Sequence, residues 1–429
     1  MSTLDRRTFL GTTAAAAAAT AVSTHVANGA VKKGETVRMA VMGVNGRGRQ
    51  LISGFKEFPQ VEIAYICEPD ARVVPRALKL LDGKQKNAPK VVKDVRDALD
   101  DKSIDVLVCS APDHWHALAT IWGCQAGKDV YVEKPASHNT VEGRRMVQAA
   151  RKYERIVQVG TQRRSGPEMK EAAEVVRSGK IGDVNYARTW INSVRPNIGY
   201  VKPIKPPSTF DYNLWCGPGP NAPYKFRKTG GHHYHWHWNW DFGTGECGNN
   251  GIHAMDIARW GMGMEAPETI VCGGGKYFFD DDQQTPDTQL ATFDFDGGCI
   301  SWEHRTWSKR GIDGAGYGIA FYGSDGTLVT NGSGYTIFRG KDVVEKVPGT
   351  AHQKLHMENF LDCLVTRKKP NADIEIGHRS TRLCHLANIA LRTRSTLRFD
   401  AKSETFLDNP AANDMLGRTY RKGFELPTV

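Results

Sequence analysis

The stretch Val37-Arg-Met-Ala-Val-Met-Gly-Val-Asn-Gly-Arg-Gly48 joins a short apolar strand to a glycine-rich turn. A helix is predicted to follow at residues 49–57. Glycines allow a backbone to approach a pyrophosphate closely, and the start of a helix offers it free N–H groups and partial positive charge. Because the glycine spacing is GxxGxG rather than GxGxxG, a plain glycine-rich turn is the alternative to a dinucleotide-binding loop. The predicted contacts of that loop are Gly43, Asn45, Gly46, Arg47 and Gly48.

A second predicted strand, residues 61–66, is followed by an acidic segment that contains Glu68. Glu68 lies 25 residues after Gly43. A carboxylate at this distance can accept hydrogen bonds from the ribose hydroxyls of a dinucleotide and would repel a 2′-phosphate, so NAD is favoured over NADP. Arg47 is close enough in sequence to leave NADP as the alternative.

The alternation of strand and helix continues along the next part of the chain. Residues 104–109 are predicted as a strand and residues 117–126 as a helix, with Ser110-Ala-Pro-Asp-His-Trp-His116 between them. A strand and a helix that recur about every 25 to 30 residues are typical of a parallel, doubly wound sheet.

A further strand is predicted in Asp129-Val-Tyr-Val-Glu-Lys-Pro135, where β-branched and aromatic residues follow one another. Pro135 ends this strand because proline cannot donate the next ladder hydrogen bond. Ligands of open α/β sheets bind beyond the carboxyl ends of the strands, so we expect Lys134 to meet the substrate. A structural lysine held in a salt bridge is the alternative.

The glycine loop, residues 110–116, Glu133-Lys-Pro135 and Gly160-Thr-Gln-Arg-Arg164 occur in this order. Together they resemble the glucose-fructose oxidoreductase, inositol dehydrogenase and MocA family (Gfo/Idh/MocA). The resemblance extends to residues 248–256 and 359–378 and covers nearly all of the chain beyond residue 36. It implies an α/β fold with an N-terminal Rossmann domain, built on a doubly wound parallel sheet. A C-terminal α/β domain with an open-faced, mostly antiparallel sheet should follow.

The pattern beyond residue 159 agrees with such a second sheet. Short strands are predicted near residues 185–193, 269–277, 289–295, 299–307, 318–322 and 327–331, and helices at 352–366 and 380–394. Glycine-containing turns separate several of these strands, as hairpins require. The predicted domain organisation is a signal segment at residues 1–30, a linker at 31–36, an NAD-binding domain at 37–158 and a substrate-binding domain at 159–429.

The resemblance also implies a nicotinamide cofactor and an acid–base site. In the resembled family an aspartate and a histidine work with the lysine of the Glu-Lys-Pro motif; here Asn249 stands at the aspartate position and His253 at the histidine position. We therefore expect Lys134 and His253 to move protons, and Asn249 to orient the imidazole. A hydrogen-bonded histidine near a helix start is the alternative for His253. Cofactor contacts beyond the glycine loop are predicted at Glu68, Ser110, Pro112, His116, Glu133, Lys134 and Gln162.

The segment Gly231-His-His-Tyr-His-Trp-His-Trp-Asn-Trp-Asp241 combines imidazoles with aromatic rings. If it is extended, its period of two places His233, His235 and His237 on one side and the aromatic rings on the other. A carbohydrate-binding surface is the favoured interpretation, and packing between domains is the alternative. Metal binding is the less favoured alternative and no metal ligand is assigned, because the histidines lack an evident carboxylate or cysteine partner. The predicted substrate contacts are Arg163, Tyr200, His235, Trp236, Trp238 and Asp256.

The composition bears on partners. The formal net charge is +10, but the basic residues are dispersed, so no nucleic-acid partner is expected. The nine cysteines form no CxxC pair and are interpreted as buried thiols, with one disulfide as the alternative in an exported protein. A homo-oligomer is expected because family members often associate through the open sheet. Trp302 and Trp307, predicted on one strand, could supply its apolar face or line the substrate cleft.

The N-terminus, Asp5-Arg-Arg-Thr-Phe-Leu-Gly11 followed by an alanine-rich apolar stretch, resembles a twin-arginine export signal. The apolar stretch is too short for a secure transmembrane helix, so no stable membrane anchor is expected after processing. A periplasmic or exported location is predicted, and a disordered alanine-rich tail is the alternative. Because little free NAD is expected outside the cytosol, the cofactor should be tightly bound and regenerated within each cycle.

Two enzyme functions fit these motifs. The first is NAD(P)-dependent oxidoreduction at a secondary hydroxyl of a sugar, sugar derivative or polyol, with hydride transfer to nicotinamide. The second is redox-assisted glycoside cleavage, in which transient oxidation permits elimination of the glycosidic substituent, followed by hydration and re-reduction. A non-catalytic nucleotide-binding protein is the third hypothesis, against which the retention of Lys134 and His253 argues.

Overall fold

The computed structural model describes residues 31–225 and 232–429 of the chain. The predicted signal segment and Gly231 lie outside these ranges. The first part of the described chain alternates strand and helix. Its elements are β1 (Val37–Met42), α1 (Arg47–Phe55), β2 (Val61–Cys67), α2 (Val74–Leu78), β3 (Lys90–Val92), α3 (Val95–Leu99), β4 (Val106–Cys109), α4 (Asp113–Gln125), β5 (Asp129–Val132), α5 (Thr140–Lys152) and β6 (Val157–Val159).

These six strands form one parallel sheet in the order β3-β2-β1-β4-β5-β6. Apart from the exposed edge strand β3, the strands are largely buried, because helices cover both faces of such a sheet. The strand order reverses between β1 and β4, which is the point where doubly wound sheets bind dinucleotides. The predicted parallel Rossmann sheet is confirmed.

The second part of the chain builds a larger sheet and the helices that cover it. Its elements are a 3₁₀ turn (Gln162–Ser165), α6 (Pro167–Arg177), β7 (Val184–Asn192), α7 (Tyr212–Cys216), α8 (His232–His235), a 3₁₀ turn (Trp236–Trp238), a π-helix (Cys247–Gly251), α9 (Ile252–Met262), β8 (Thr269–Gly275), β9 (Thr288–Phe295), β10 (Gly298–Arg305), β11 (Tyr317–Gly323), β12 (Thr327–Thr330), β13 (Tyr335–Arg339), β14 (Asp342–Val347), α10 (Gln353–Thr366), α11 (Ile374–Thr393), β15 (Leu397–Asp400), β16 (Thr405–Leu407) and α12 (Pro410–Asp414).

The ten strands of this sheet follow the order β14-β13-β12-β11-β7-β10-β9-β8-β15-β16. All of its described pairs are antiparallel except β7 with β10. Helices α6, α9 and α11 share a core with one face of the sheet. The predicted open-faced, mostly antiparallel sheet is confirmed, although β13 to β16 were not predicted because these outer strands are short or exposed.

Trp302 and Trp307 do not share a strand surface, contrary to the prediction. Trp302 is fully buried beneath Gly251, where any Cβ would lie 2.9 Å from the indole ring. Trp307 lies beyond the end of β10, stacks on Phe278 and donates a hydrogen bond to Thr288. Trp302 therefore belongs to the core, neither to an exposed face nor to a cleft.

Three helices begin earlier than predicted. Helix α1 starts at Arg47 rather than at residue 49, and α4 starts at Asp113 rather than at 117. Pro112 occupies the N-cap position and Asp113 places a carboxylate in the first turn, where it is favoured, so α4 begins directly after the proline. Helix α11 starts at Ile374 rather than at 380, because Asp373 caps it and Gly377 continues it against β6.

The histidine- and tryptophan-rich segment is helical rather than extended. Residues 232–235 form α8 and residues 236–238 form a 3₁₀ turn. The ring of His232 packs within an aromatic cluster that includes Tyr212, Trp215 and Phe242. This packing replaces the predicted separation of imidazoles and aromatic rings on two sides.

The nine cysteines are all free thiols, and seven of them are buried, as predicted. Within the two described ranges, no helix has the length and apolar content needed to cross a bilayer. The same ranges contain no group of three or more histidine, cysteine, aspartate or glutamate side chains arranged to hold a metal ion.

Candidate active site

The glycine loop lies at the carboxyl end of β1, at the reversal point of the parallel sheet. Gly43 has φ of +81°, and a Cβ there would lie 2.7 Å from the Ala111 backbone nitrogen. A Cβ on Gly48 would lie 2.0 Å from the Gly43 carbonyl oxygen, whereas the space beside Gly46 is open. No side chain of the described residues caps α1, so its first N–H groups are left for a ligand. This geometry fits a pyrophosphate beside Gly46.

The residues predicted to bind the cofactor surround one cleft. Its wall contains Gly43, Asn45, Gly46, Arg47, Glu68, Ser110, Pro112, His116, Glu133, Lys134 and Gln162. Gly48 lies behind this wall, where it packs against the loop itself. The loop and the segments that follow β2, β4 and β5 therefore meet at one edge of the sheet.

Glu68 lies at the carboxyl end of β2 and is buried. Its two carboxylate oxygens accept hydrogen bonds from the backbone N–H groups of Val44 (3.0 Å) and Asp70 (3.1 Å). Burial raises the pKa of Glu68. The amides hold the carboxylate beside the glycine loop, where it can still accept from a ribose hydroxyl through its remaining lone pairs.

Glu133 connects the glycine loop to the Glu-Lys-Pro motif. Arg47 Nε donates to Glu133 Oε1 at 2.8 Å, and the Lys134 backbone N–H donates to Oε2 at 3.3 Å. Burial opposes ionisation of Glu133, but the charges of Arg47 and Lys134 outweigh it and lower its pKa. Gly160 leaves room for the carboxylate, since a Cβ there would lie 2.7 Å from Oε1. Arg47 is thus committed to this ion pair.

Lys134 meets the π-helix that precedes α9. Its Nζ donates to the Asn249 backbone oxygen at 2.8 Å and to Asn249 Oδ1 at 3.3 Å. A π-turn of this kind is frequent at functional sites, and here it directs a carbonyl and an amide oxygen to one ammonium group. Burial lowers the pKa of Lys134, although Glu133 and Asp113 oppose the shift.

His253 lies in the first turn of α9 and lines the same cleft as Lys134 and Asn249. Its Nδ1 is buried and has no hydrogen-bond partner among the described residues. Burial, together with the positive charges of Arg163 and Lys134, holds the pKa of His253 well below its usual range. Burial and these charges therefore favour the neutral form of the imidazole.

Asp113 is a residue of the cleft wall that the sequence analysis missed. It is almost fully buried, and Thr244 Oγ1 donates to its Oδ2 at 2.8 Å. Burial raises the pKa of Asp113 to about 7, although Thr244 and the Lys134 charge favour its ionised form. The signal that could have identified it is an aspartate directly after a strand, in Ser110-Ala-Pro-Asp113.

The histidine- and tryptophan-rich segment covers part of the cleft. Trp236 and His237 line it with their rings stacked, at 3.6 Å between centroids. His233 Nε2 lies 2.8 Å from Asp70 Oδ2 and so connects this segment to the end of β2. The predicted substrate residues His235 and Trp238 are buried behind the wall. The segment thus contributes part of the cleft wall.

Comparison with known protein families agrees with this arrangement. Residues 37–161 match the domain described as "Oxidoreductase family, NAD-binding Rossmann fold". Residues 176–426 match "Oxidoreductase family, C-terminal alpha/beta domain". The chain belongs to the Gfo/Idh/MocA oxidoreductase family. In this member of the family, the glycine loop and the Glu-Lys-Pro motif lie in one cleft.

Two curated relatives match part of the chain. An alpha-N-acetylgalactosaminidase of Shewanella oneidensis is 27% identical over 156 residues, which are 35% of this chain and 34% of that protein. A glycosyl hydrolase family 109 protein of Shewanella sp. (strain MR-4) matches with the same identity and coverage. The chain thus spans about a third of the length of these relatives.

Solved structures of the same fold include several sugar-related enzymes. Levoglucosan dehydrogenase in complex with NADH and levoglucosan gives a TM-score of 0.65 at 16% identity, covering 88% of this chain and 100% of that one. The aldose-aldose oxidoreductase from Caulobacter crescentus gives a TM-score of 0.65 at 17% identity, covering 85% of this chain and 100% of that one. The WlbA dehydrogenase from Bordetella pertussis, in complex with NADH and UDP-GlcNAcA, gives a TM-score of 0.64 at 18% identity, covering 85% of this chain and 99% of that one. These likenesses show the shared fold.

Three other residues were predicted to contact the substrate, and they lie apart from one another. Asp256 faces the interior, where Arg164 Nε donates to it at 2.8 Å. Tyr200 is 66% exposed and donates to Asp280. Arg163 lines a second cavity, which shares Gln162 with the cofactor cleft. Of these three residues, Arg163 alone borders the site.

Proposed function

We propose that the protein is an NAD(P)-dependent oxidoreductase that acts on a secondary hydroxyl of a sugar, sugar derivative or polyol. One observation carries this proposal. Lys134 and His253 line the same cleft as the glycine loop and Glu68, so acid–base groups and a nucleotide-binding loop face one space. Family membership and the fold shared with sugar dehydrogenases support it.

The residues present fit a nicotinamide dinucleotide. Gly46 and the uncapped start of α1 would hold the pyrophosphate, and Glu68 would accept from the ribose hydroxyls. We propose NAD rather than NADP, because the Glu68 carboxylate repels a 2′-phosphate and Arg47 is already paired with Glu133. When bound, the nicotinamide ring supplies a hydride acceptor.

Lys134 is the proposed base for the substrate hydroxyl. As the hydride leaves the carbon, the hydroxyl proton must leave the oxygen, and a neutral amine can accept it. Burial lowers the pKa of Lys134 and so favours that neutral form. Asn249 holds Nζ through two oxygens and fixes its direction.

His253 is proposed to hydrogen-bond the same hydroxyl. Its low pKa keeps the imidazole neutral, so it can accept at one nitrogen and donate at the other. Asn249 carries no charge that would stabilise an imidazolium. The proton therefore rests on Lys134, and His253 positions the reacting oxygen.

The experiment that tests this assignment replaces Lys134 with methionine. Loss of a general base typically reduces turnover by about 10² to 10⁴-fold. Single-turnover reduction of the bound nicotinamide by a panel of pyranosides measures the step directly. Lys354→Met serves as the control, because Lys354 is exposed and pairs with the exposed Glu358 of its own helix, α10. Hydride transfer that is unchanged in Lys134→Met, with nucleotide still bound, would refute the role.

A second candidate function is redox-assisted glycoside cleavage, and the curated glycosidase relatives favour it. Oxidation of one ring hydroxyl to a ketone acidifies the neighbouring C–H. Loss of that proton with departure of the glycosidic substituent gives an unsaturated ketone. Water then adds at the anomeric carbon, a proton returns to the neighbouring carbon, and the hydride returns to the ketone, so no net redox change remains.

Mass spectrometry of products formed in heavy water separates the two functions. Cleavage would be established by release of the aglycone together with a free sugar that carries deuterium on the carbon next to the anomeric centre, with no net formation of reduced nicotinamide. A keto-sugar with its glycosidic bond intact would establish a dehydrogenase.

We also propose export to the periplasm by the twin-arginine route, on the basis of Arg6-Arg7 and the apolar stretch that follows. A bound cofactor that is regenerated in each cycle would suit that compartment. A homo-oligomer formed through the exposed face of the large sheet is proposed as well, because Val271 and Leu290 are exposed on adjacent strands of that face. Fractionation of cells and sedimentation of the purified protein test these two proposals.

A further inference from the structure

Arg163 and Arg164 are adjacent in sequence and have different electrostatic partners. Arg164 is buried and pairs with Asp256, whose oxygens accept from its guanidinium at 2.8 and 2.9 Å. Arg163 is half-buried and forms no ion pair with any residue in the described ranges 31–225 and 232–429. The cation at Arg163 is therefore left without a counter-charge from the part of the chain that the structure describes.

The surroundings hold Arg163 in place without neutralising it. Its guanidinium lies over the ring of Tyr317, 4.4 Å from the centroid, and donates to the Tyr317 hydroxyl. Gly332 gives it room, because a Cβ there would lie 2.3 Å from Nη1. Tyr317 and Gly332 both line the cavity that Arg163 faces. A planar donor is thus fixed at a cavity wall.

Acidic side chains of the neighbouring segments are already engaged elsewhere. Asp256 is held by Arg164, and Glu246 is held by Arg195 and by the Asn250 side chain. Neither carboxylate is available to neutralise Arg163. An arginine in a partly buried wall is costly unless an anion or several acceptors meet it, so the ligand is expected to supply the missing charge.

The cavity of Arg163 adjoins the proposed catalytic cleft. Gln162 lines both spaces, and its Oε1 is buried with no hydrogen-bond partner among the described residues. Asn250 lines the second cavity, next in sequence to Asn249 of the first. A substrate that reacts beside His253 can therefore extend past Gln162 to Arg163.

We propose that Arg163 recognises a carboxylate on the substrate, which makes acidic sugars, such as hexuronic acids and their glycosides, the preferred substrate class. The Arg163 guanidinium can donate two parallel hydrogen bonds to a carboxylate, a pairing that is stronger and more directional than one with a neutral hydroxyl. Gln162 Oε1 accepts from a ring hydroxyl. This inference rests on the proposed function for the position of the reacting carbon, and on Arg163 alone for the charge preference.

Calorimetry on the full, nucleotide-loaded protein tests the preference. The probes are methyl glucuronides and methyl galacturonides, each compared with the matching neutral glucoside or galactoside. We expect at least one acidic glycoside to bind about 100-fold more tightly than its neutral partner at low salt. Arg163→Met should abolish this ratio and Arg163→Lys should keep part of it. Arg398→Met, which alters an exposed pair with Asp408, should leave it unchanged.

The ionic-strength dependence of binding by the wild-type protein gives a readout that needs no variant. The preference for the acidic glycoside should shrink as salt increases, because a charge pair at a half-open cavity is screened. Equal affinity for acidic and neutral glycosides, or a preference that persists in Arg163→Met, would overturn the inference. Acid-selective binding without hydride transfer would refute the proposed function while supporting the carboxylate subsite. Hydride transfer without a preference for acidic glycosides would support the proposed function and refute the carboxylate subsite.

Discussion

Replacing Asp113 with asparagine should change how the stability of the protein depends on pH. The carboxyl group lies in the first turn of α4, is 2% exposed and accepts a hydrogen bond from Thr244 Oγ1 at 2.8 Å. Burial raises the pKa of Asp113 to about 7. In an unfolded chain an aspartate has a pKa of about 3.9. The folded state therefore holds this proton more tightly than the unfolded state does.

The sign and size of the effect follow from these two pKa values. Because the folded value is the higher one, the stabilisation by protonated Asp113 is complete below about pH 4 and is lost as pH rises towards 7. Three pKa units correspond to about 4 kcal/mol, of which about 2.5 kcal/mol is lost between pH 5 and pH 8. Asparagine keeps an acceptor for Thr244 and cannot ionise. From pH 5 to pH 8, the free energy of unfolding of the variant should therefore rise by about 2.5 kcal/mol relative to that of the wild type.

Urea unfolding of both proteins at intervals from pH 5 to pH 8 measures this difference. Subtracting the two curves removes the pH dependence that all other groups contribute equally. Asp408→Asn is the control, because Asp408 is 80% exposed on its side chain and should show no such trend. A difference between wild type and Asp113→Asn that stays within about 0.5 kcal/mol over the whole interval would refute the raised pKa of Asp113.

Three further predictions concern the cofactor, the base and the core. Glu68→Gln should narrow the preference for NAD over NADP by roughly tenfold, as measured by fluorescence titration with both nucleotides, because the charge that repels a 2′-phosphate is lost. Asn249→Asp should raise the pKa of Lys134, because a carboxylate would replace the amide oxygen that lies 3.3 Å from Nζ; the rising limb of the kcat/KM profile should then move to higher pH. Asp256→Asn should destabilise the protein by about 3–5 kcal/mol in urea unfolding, because Arg164 keeps a buried charge without its partner.

The parallel sheet could be predicted from the sequence because its signals are local. Glycine spacing, apolar strands and the proline that ends β5 each depend on a few neighbouring residues, and they agree with one another. Lys134 could be placed in the cleft for the same reason, since it follows a strand whose carboxyl end must lie at the sheet edge. Such agreement between local propensity and topology is what makes a segment predictable.

The features that were missed depend on contacts between distant segments. The helical form of residues 232–238 comes from packing of His232 among aromatic rings contributed by α7 and Phe242. Trp302 is buried because Gly251, 51 residues earlier, leaves space for its ring. Asp256 was predicted to contact substrate, but Arg164 holds it in the interior. None of these pairings leaves a periodic trace in the sequence.

The charges around His253 and Lys134 favour Lys134 as the group that accepts the substrate proton. Arg163, Lys134 and Arg47 all lower the pKa of His253, in addition to its burial. While Lys134 is a neutral amine, an imidazolium there would still face the two guanidinium groups of Arg163 and Arg47, so taking up the substrate proton would be unfavourable. Lys134, in contrast, has the carboxylates of Glu133 and Asp113 to favour its ammonium form once the proton arrives. The proton is therefore expected to end on Lys134, and His253 can direct the hydroxyl without competing for it.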